Sequence, residues 1–223
     1  MSMKFFLSAI AKFTLGVVLI GVLLFLPAGT LHYPQGWLLM GILFIPMFLA
    51  GLVMMAKNPA LLRSRLNAKE KRGEQSLVVK LSGLMFLVGF IVAGLSFRFD
   101  WWMLPQWVSI LGSVLFLASY ALYAEVLREN TWLSRTIEVQ EGQQVVSTGL
   151  YGIVRHPMYA VTVTLFLSMP LVLGSALAFA VFLAYPFIIA KRIRNEEEVL
   201  SRELNGYTEY MQKVKWRLIP FIW

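Results

Sequence analysis

Hydrophobic positions along the chain fall into long blocks separated by short polar segments. Residues 13–26 form the first block, which extends back to Phe5 if Lys12 reaches out to the interface. Residues 37–55, 81–99 and 104–127 form the next three. Each approaches the ~20 residues that a membrane-crossing helix needs. After a polar stretch, residues 158–189 are apolar for 32 positions, which is long for one helix crossing a ~30 Å core at ~1.5 Å per residue. Pro170 and Gly174-Ser175 near its middle mark a turn. The pattern therefore predicts two helices of roughly 15 residues joined as a tight hairpin, short enough to tilt or to thin the bilayer. The fold class expected is all-α, a polytopic integral membrane protein with about six transmembrane helices. Four spans occupy residues 1–127. Residues 128–223 add the hairpin and a polar tail.

Composition agrees with this division. The chain is 58% hydrophobic and only 14% charged, with a mean hydropathy of +0.69, whereas soluble domains carry about 25% charge. The charge is also one-sided. With six spans, 19 of the 20 lysines and arginines fall on one face, including the 57–80 loop with Lys57, Arg63, Arg65, Lys69, Lys71, Arg72 and Lys80. Arg98 alone falls on the other. The positive-inside rule then places both termini and the polar segments in the cytosol, with the protein in the inner or plasma membrane. A single helix through 158–189 would move the basic tail outside and spoil the asymmetry. The net charge of +8 reads as basic loops against anionic headgroups rather than as a nucleic-acid surface. Pro27-Ala28-Gly29 after the first block resembles the end of a signal peptide. However, Leu26 and Ala28 do not make a small-x-small cleavage site, so the first helix is expected to be retained.

The absence of cysteine excludes disulfides, thiolate metal sites, redox dithiols and a cysteine nucleophile. With only His32 and His156, no metal centre is expected. Trp37, Trp101, Trp102 and Trp107 sit at span ends as interfacial anchors do.

Candidate chemistry concentrates on the basic side. The segment around Gln143, Gln144, Val145 and Val146, between Gly142 and Gly149, is either an ordinary connection or a strip crossing the mouth of the bundle. In Arg155-His156-Pro157, Pro157 suits a first helical turn and so fixes the start of the fifth helix. His156, held extended by the proline after it, can aim its side chain back over that helix mouth. Arg192 and Glu196 lie four apart on one helix face. They make either a helix-face ion pair, in its less favourable order, or an anion-holding and a cation-holding group one turn apart.

Arg155-His156-Pro157-Met158-Tyr159 opening a hairpin, then Arg192 with Glu196-Glu197 and Leu200, then Gly206-Tyr207 with Tyr210, and Arg217-Leu218-Ile219-Pro220, resembles the isoprenylcysteine carboxyl methyltransferase family and its prokaryotic relatives. The likeness covers residues 128–223; residues 1–127 resemble the family only as a set of spans. It implies an enzyme that transfers a methyl group from S-adenosylmethionine without a Rossmann sheet. The positions matching cofactor contacts are Gln143, Gln144, Val145, Val146, Tyr151, His156, Pro157, Met158, Tyr159 and Glu196, and Arg192 matches the arginine facing the acceptor. Gln143 stands where the family often has histidine, and Leu204-Asn205-Gly206-Tyr207 departs from its usual tail. The acceptor implied is lipophilic, enters from the bilayer and is most simply a carboxylate. An ionised carboxylate needs no strong base, so such a site has mainly to position two molecules and exclude water. The C-terminal stretch is also similar to membrane sterol reductases, which leaves a nicotinamide-dependent reductase as the alternative enzyme. A non-enzymatic membrane protein is the alternative outside enzymes, and it would carry ionisable groups in mid-span.

Overall fold

A computed structural model describes residues 3–57, 62, 73–133 and 139–223. Arg63, Arg65, Lys69, Lys71 and Arg72, used above to orient the chain, and Arg135, another basic residue counted on that face, lie outside the described residues. The described chain is helical: α1 (Met3–Ala28), α2 (Pro34–Lys57), α3 (Gly73–Phe99), α4 (Gln106–Glu129), a 3₁₀ turn (Gly149–Gly152), α5 (Pro157–Val172), α6 (Ala176–Phe182), α7 (Ala184–Glu203) and α8 (Tyr207–Lys213). Among the described residues, five helical stretches are long and apolar enough to cross a membrane. The fifth runs through α6 and α7, and α5 is a shorter apolar helix beside it. The expected hairpin is therefore present, as a polytopic membrane architecture.

The hairpin turn follows from local chemistry. Gly174 has φ 70°, a left-handed conformation that costs glycine nothing. Its N–H donates to Leu171 O, and Ser175 N–H donates to Pro170 O, which closes α5 as a Schellman motif. Ser175 Oγ then accepts from Ala178 N–H and caps α6. Pro170 does not end the helix, as α5 continues to Val172. The second arm departs from a single short helix. It breaks at Leu183 and resumes as α7 far beyond the apolar block. Pro186, in the first turn of α7, has no N–H to offer the preceding turn, which accounts for the interruption.

α5 packs along α4, and α3 packs against α1, α6 and α7. These contacts are close because the facing residues are small. A Cβ on Gly94 would come within 2.5 Å of Leu24 O, and one on Gly112 within 2.8 Å of Val172 N. Small residues at such crossings let helices approach where no hydrophobic drive separates them from lipid. One apolar core, including Leu24, Leu39, Phe90, Phe116, Leu173, Phe182 and Ile193, runs between them.

Three loops meet at one end of the bundle. Leu104 N–H donates to Gly174 O at 2.8 Å and Ala176 N–H to Trp102 O at 3.2 Å. The Tyr33 hydroxyl donates to Leu173 O at 2.8 Å, and Ser175 Oγ donates to Ser96 Oγ at 2.9 Å. With six spans, the loops near 27–36, 100–103 and 170–175 fall on the face opposite the basic segments, and these are the ones that meet here. The described polar segments at 130–133, 139–156 and 191–217 gather at the other end, around α4, α5, α7 and α8.

Candidate active site

At that end a cleft opens between the segment just after α4, the 139–156 segment, the start of α5, the C-terminal half of α7 and the start of α8. Gln143, Gln144, Val145, Val146, Tyr151, His156, Met158, Tyr159, Arg192 and Glu196 all line it. Of the positions matched above to cofactor and acceptor contacts, Pro157 is the one that does not. Its place is the first position of α5, where its missing N–H is harmless. It sets the helix start rather than a wall of the cleft.

The 139–148 strip does cross the mouth. Gln143 N–H donates to Gln140 O at 3.0 Å, Gln140 N–H donates to Gln143 Oε1 at 2.9 Å, and Gly142 takes φ 74°. The result is a closed turn in which the Gln143 side-chain carbonyl is already engaged. Beyond it, Val139 and Val145 pack on Leu200, Leu204, Tyr207, Tyr210 and Val214, while Val146 packs with Val126, Tyr151 and Val161. Two small apolar clusters thus flank the opening. The Tyr210 hydroxyl donates to Tyr151 O at 2.7 Å, joining α8 to the 3₁₀ turn.

Tyr159, one turn into α5, connects the two polar residues of α7. Its hydroxyl donates to Glu196 Oε2 at 2.5 Å and accepts from Arg192 Nε at 2.8 Å. The Arg192 guanidinium also lies 6.0 Å from the Tyr159 ring centre. Arg192 and Glu196 are therefore linked through a phenol from another helix, an arrangement that helical spacing alone does not reveal. Tyr159, matched above to a cofactor contact, makes this link with its hydroxyl.

Glu197, next in sequence, faces the opposite way and is buried. Arg155 Nε donates to its Oε1 at 2.7 Å, Arg217 Nε to its Oε2 at 2.7 Å, and His156 Nε2 lies 3.2 Å from Oε1. Arg155 also donates to Val214 O at 2.8 Å and Lys215 O at 2.9 Å. One carboxylate thereby clamps α7 to the loop before α5 and to the C-terminal tail. An ion cluster in so dry a place is stable only when each group is satisfied, and here several donors converge on Glu197. Sequence reasoning missed this role. It also missed Asn130, Trp132, Leu133, Arg155, Leu200, Leu204, Tyr207 and Tyr210 as lining residues. The available signal was the four-residue spacing of Arg192, Glu196, Leu200 and Leu204, which continues one helix face beyond the pair already noticed.

Two tyrosines complete the far wall. Burial pushes the Tyr207 and Tyr210 phenols up, so they remain protonated donors. The Tyr207 hydroxyl is buried with no hydrogen-bond partner among the described residues, although the residue lines the cleft. A buried polar atom without a partner costs about 1–3 kcal/mol unless something in the cleft satisfies it. Among the described residues, no cluster of three or more His, Asp or Glu could hold a metal ion.

The comparisons with known proteins meet this geometry at the same residues. The model of the isoprenylcysteine carboxyl methyltransferase family matches residues 108–202, from the start of α4 to the end of α7. That stretch, under half of the chain, is similar to the family. The fold agrees. The solved structure of the eukaryotic intramembrane Ras methyltransferase ICMT superposes with a TM-score of 0.56 over 92% of this chain and 74% of that one, at 19% identity. A mouse (Mus musculus) protein, Delta(14)-sterol reductase TM7SF2, is 30% identical over 91 residues, 40% of this chain. This chain spans about a fifth of that reductase, 22% of its length. The family match ends before α8 and the 214–223 tail, so it does not include Tyr207, Tyr210 and Arg217.

Proposed function

We propose that the protein is an integral-membrane methyltransferase that takes its methyl group from S-adenosylmethionine and passes it to a lipophilic acceptor entering from the bilayer. The observation that carries the reading is the convergence of Arg192, Tyr159 and Glu196 in one cleft, inside the stretch that matches the methyltransferase family.

The residues present fit such a cofactor. Glu196 offers a carboxylate to an ammonium or a ribose hydroxyl, and the unpartnered Tyr207 hydroxyl offers a donor. Tyr151 and Met158 supply apolar and aromatic surface for an adenine or a sulfonium. When bound, S-adenosylmethionine supplies an electrophilic methyl group. The protein's part is then positional. Arg192 presents a charge-assisted fork to an acceptor carboxylate. Tyr159 holds that fork in register with Glu196. The valine strip and the α8 tyrosines exclude water, which together with orientation can contribute several kcal/mol. His156 points into the glutamate clamp, so it orients the loop rather than serving as a base, and an ionised carboxylate needs none. In this reading the site and both termini are cytosolic, and the acceptor is a prenylcysteine-like or other lipid-linked carboxylate.

A nicotinamide-dependent reduction is the second reading, favoured by the 91-residue likeness to the sterol reductase. The deciding experiment is mass spectrometry of the purified protein incubated with S-adenosylmethionine and fractionated membrane lipids. The proposal expects a lipid product heavier by one methylene unit. Reduction of a lipid by a nicotinamide cofactor, with no methylated product, would replace it.

A further inference from the structure

The tail after α8 carries a feature that neither the cleft nor the core uses. Arg155 N–H donates to Trp216 O at 2.8 Å and His156 N–H to Arg217 O at 2.9 Å. Residues 216 and 217 are thereby fixed beside the two residues that precede α5. The position of α5 then sets the depth of the tail. With 16 residues at ~1.5 Å each, α5 is about 24 Å long, shorter than a ~30 Å hydrocarbon core. Its first turn therefore lies at the edge of the hydrocarbon, and the tail at 216–217 lies at the same level.

From there the chain folds into a compact hook. The N–H groups of Arg217, Leu218 and Ile219 all donate to Trp223 O. Leu218 is buried in the main core, with Trp223 packed against it, and the Arg217 guanidinium sits 5.5 Å from the Trp223 ring centre. The other face of the hook is apolar and open: Ile219 is 47% exposed, Ile222 75% and Phe221 86%. Phe221 has φ 66°, a left-handed conformation uncommon for a bulky residue, and it holds the ring outward beside Trp216 at 5.5 Å. Lys213 and Lys215, just before the hook, are exposed. A soluble tail has no reason to keep three large apolar side chains in water beside two lysines. A segment at the lipid boundary does, because apolar side chains enter the acyl region while lysines meet anionic headgroups.

We propose that residues 218–223 form an interfacial anchor, with Ile219, Phe221 and Ile222 inserted at the boundary between headgroups and acyl chains and Lys213 and Lys215 against lipid phosphates. The anchor is tied to the site through Arg217, which reaches Glu197, so bilayer contact helps to hold the clamp described above. Nothing in this inference depends on what the cleft binds.

The chain has no native cysteine, so a single reporter is clean. Phe221→Cys in the full chain, labelled with bimane and reconstituted into phosphatidylcholine–phosphatidylglycerol vesicles, is compared with Ser201→Cys at the exposed end of α7. Phospholipids brominated near the top of the acyl chain should quench the residue 221 label at least twofold more than the residue 201 label, and aqueous iodide should show the reverse order. Ile222→Cys, which keeps Phe221, gives an independent reading should the first variant fail to fold. Equal bromolipid quenching at 221, 222 and 201, with ready access to iodide, would overturn the anchor.

Discussion

Arg155 Nε lies 2.7 Å from Glu197 Oε1, with both side chains buried. That pair joins α7 to the loop that launches α5, and Arg217 extends it to the tail. The neighbouring carboxylate, Glu196, turns into the cleft. Two consecutive glutamates thus divide the work: Glu197 holds the walls together, while Glu196 faces what the walls enclose. The division explains why an acidic run sits at an otherwise basic end of the bundle.

Replacing the clamp should therefore cost stability first. Glu197→Gln keeps the shape but leaves the Arg155 guanidinium buried without its counter-charge. Breaking a buried pair in this way costs about 3–5 kcal/mol. The expected outcome is a lowered thermal unfolding midpoint in detergent, whether or not a cofactor is added. Arg217 is a third exposed in its side chain, so Arg217→Ala should fall between this variant and the parent. A Glu197→Gln midpoint equal to the parent's would remove the clamp.

Arg192 and Tyr159 should affect turnover before binding. Arg192→Lys keeps the charge and loses the planar fork, which is not conservative where bidentate geometry matters. Tyr159→Phe keeps the ring and loses the hydroxyl that links Arg192 to Glu196. Each should lower the methyl-transfer rate roughly tenfold or more, since displacement by about 1 Å can cost about a hundredfold, while cofactor affinity changes little in Arg192→Lys. Rate and affinity measured on one preparation test this. Normal turnover in Arg192→Lys would take the acceptor role from it and favour an acceptor without a carboxylate.

The orientation rests on charge and on the meeting of the three loops at the far end. Single cysteines at Ser147 and Ser201, both exposed, should be shielded from an impermeant thiol reagent in intact cells. One at His32, exposed in the first opposite loop, should react. Labelling at Ser147 from outside would invert the topology.

The spans were legible because lipid imposes a simple rule: a continuous apolar stretch of sufficient length with few charges. Gly174-Ser175 announced the hairpin because a left-handed residue followed by a capping serine has few other uses. The pairing of Arg192 with Glu196 was half legible. Spacing put them on one face, but the phenol between them arrives from α5, more than thirty residues earlier, and no local pattern encodes that contact. Glu197 was illegible for the same reason, since its partners come from the loop at 155–156 and the tail at 217. Pro157 does not line the cleft, because a residue that fixes a helix start travels in the same motif as the residues that do. The break at Leu183 was missed because Pro186 lies within an otherwise uniform apolar run, where hydropathy hides a backbone effect.

The central claim is that the cleft holds S-adenosylmethionine through Glu196. The most direct measurement is calorimetric titration of the detergent-solubilised protein with S-adenosylmethionine and, separately, with the nicotinamide cofactors, in the parent and in Glu196→Gln. The account predicts saturable binding of S-adenosylmethionine alone, weakened in Glu196→Gln by about 1.5–3 kcal/mol, the worth of a hydrogen bond to a charged group. Binding of a nicotinamide cofactor with no heat from S-adenosylmethionine would contradict it.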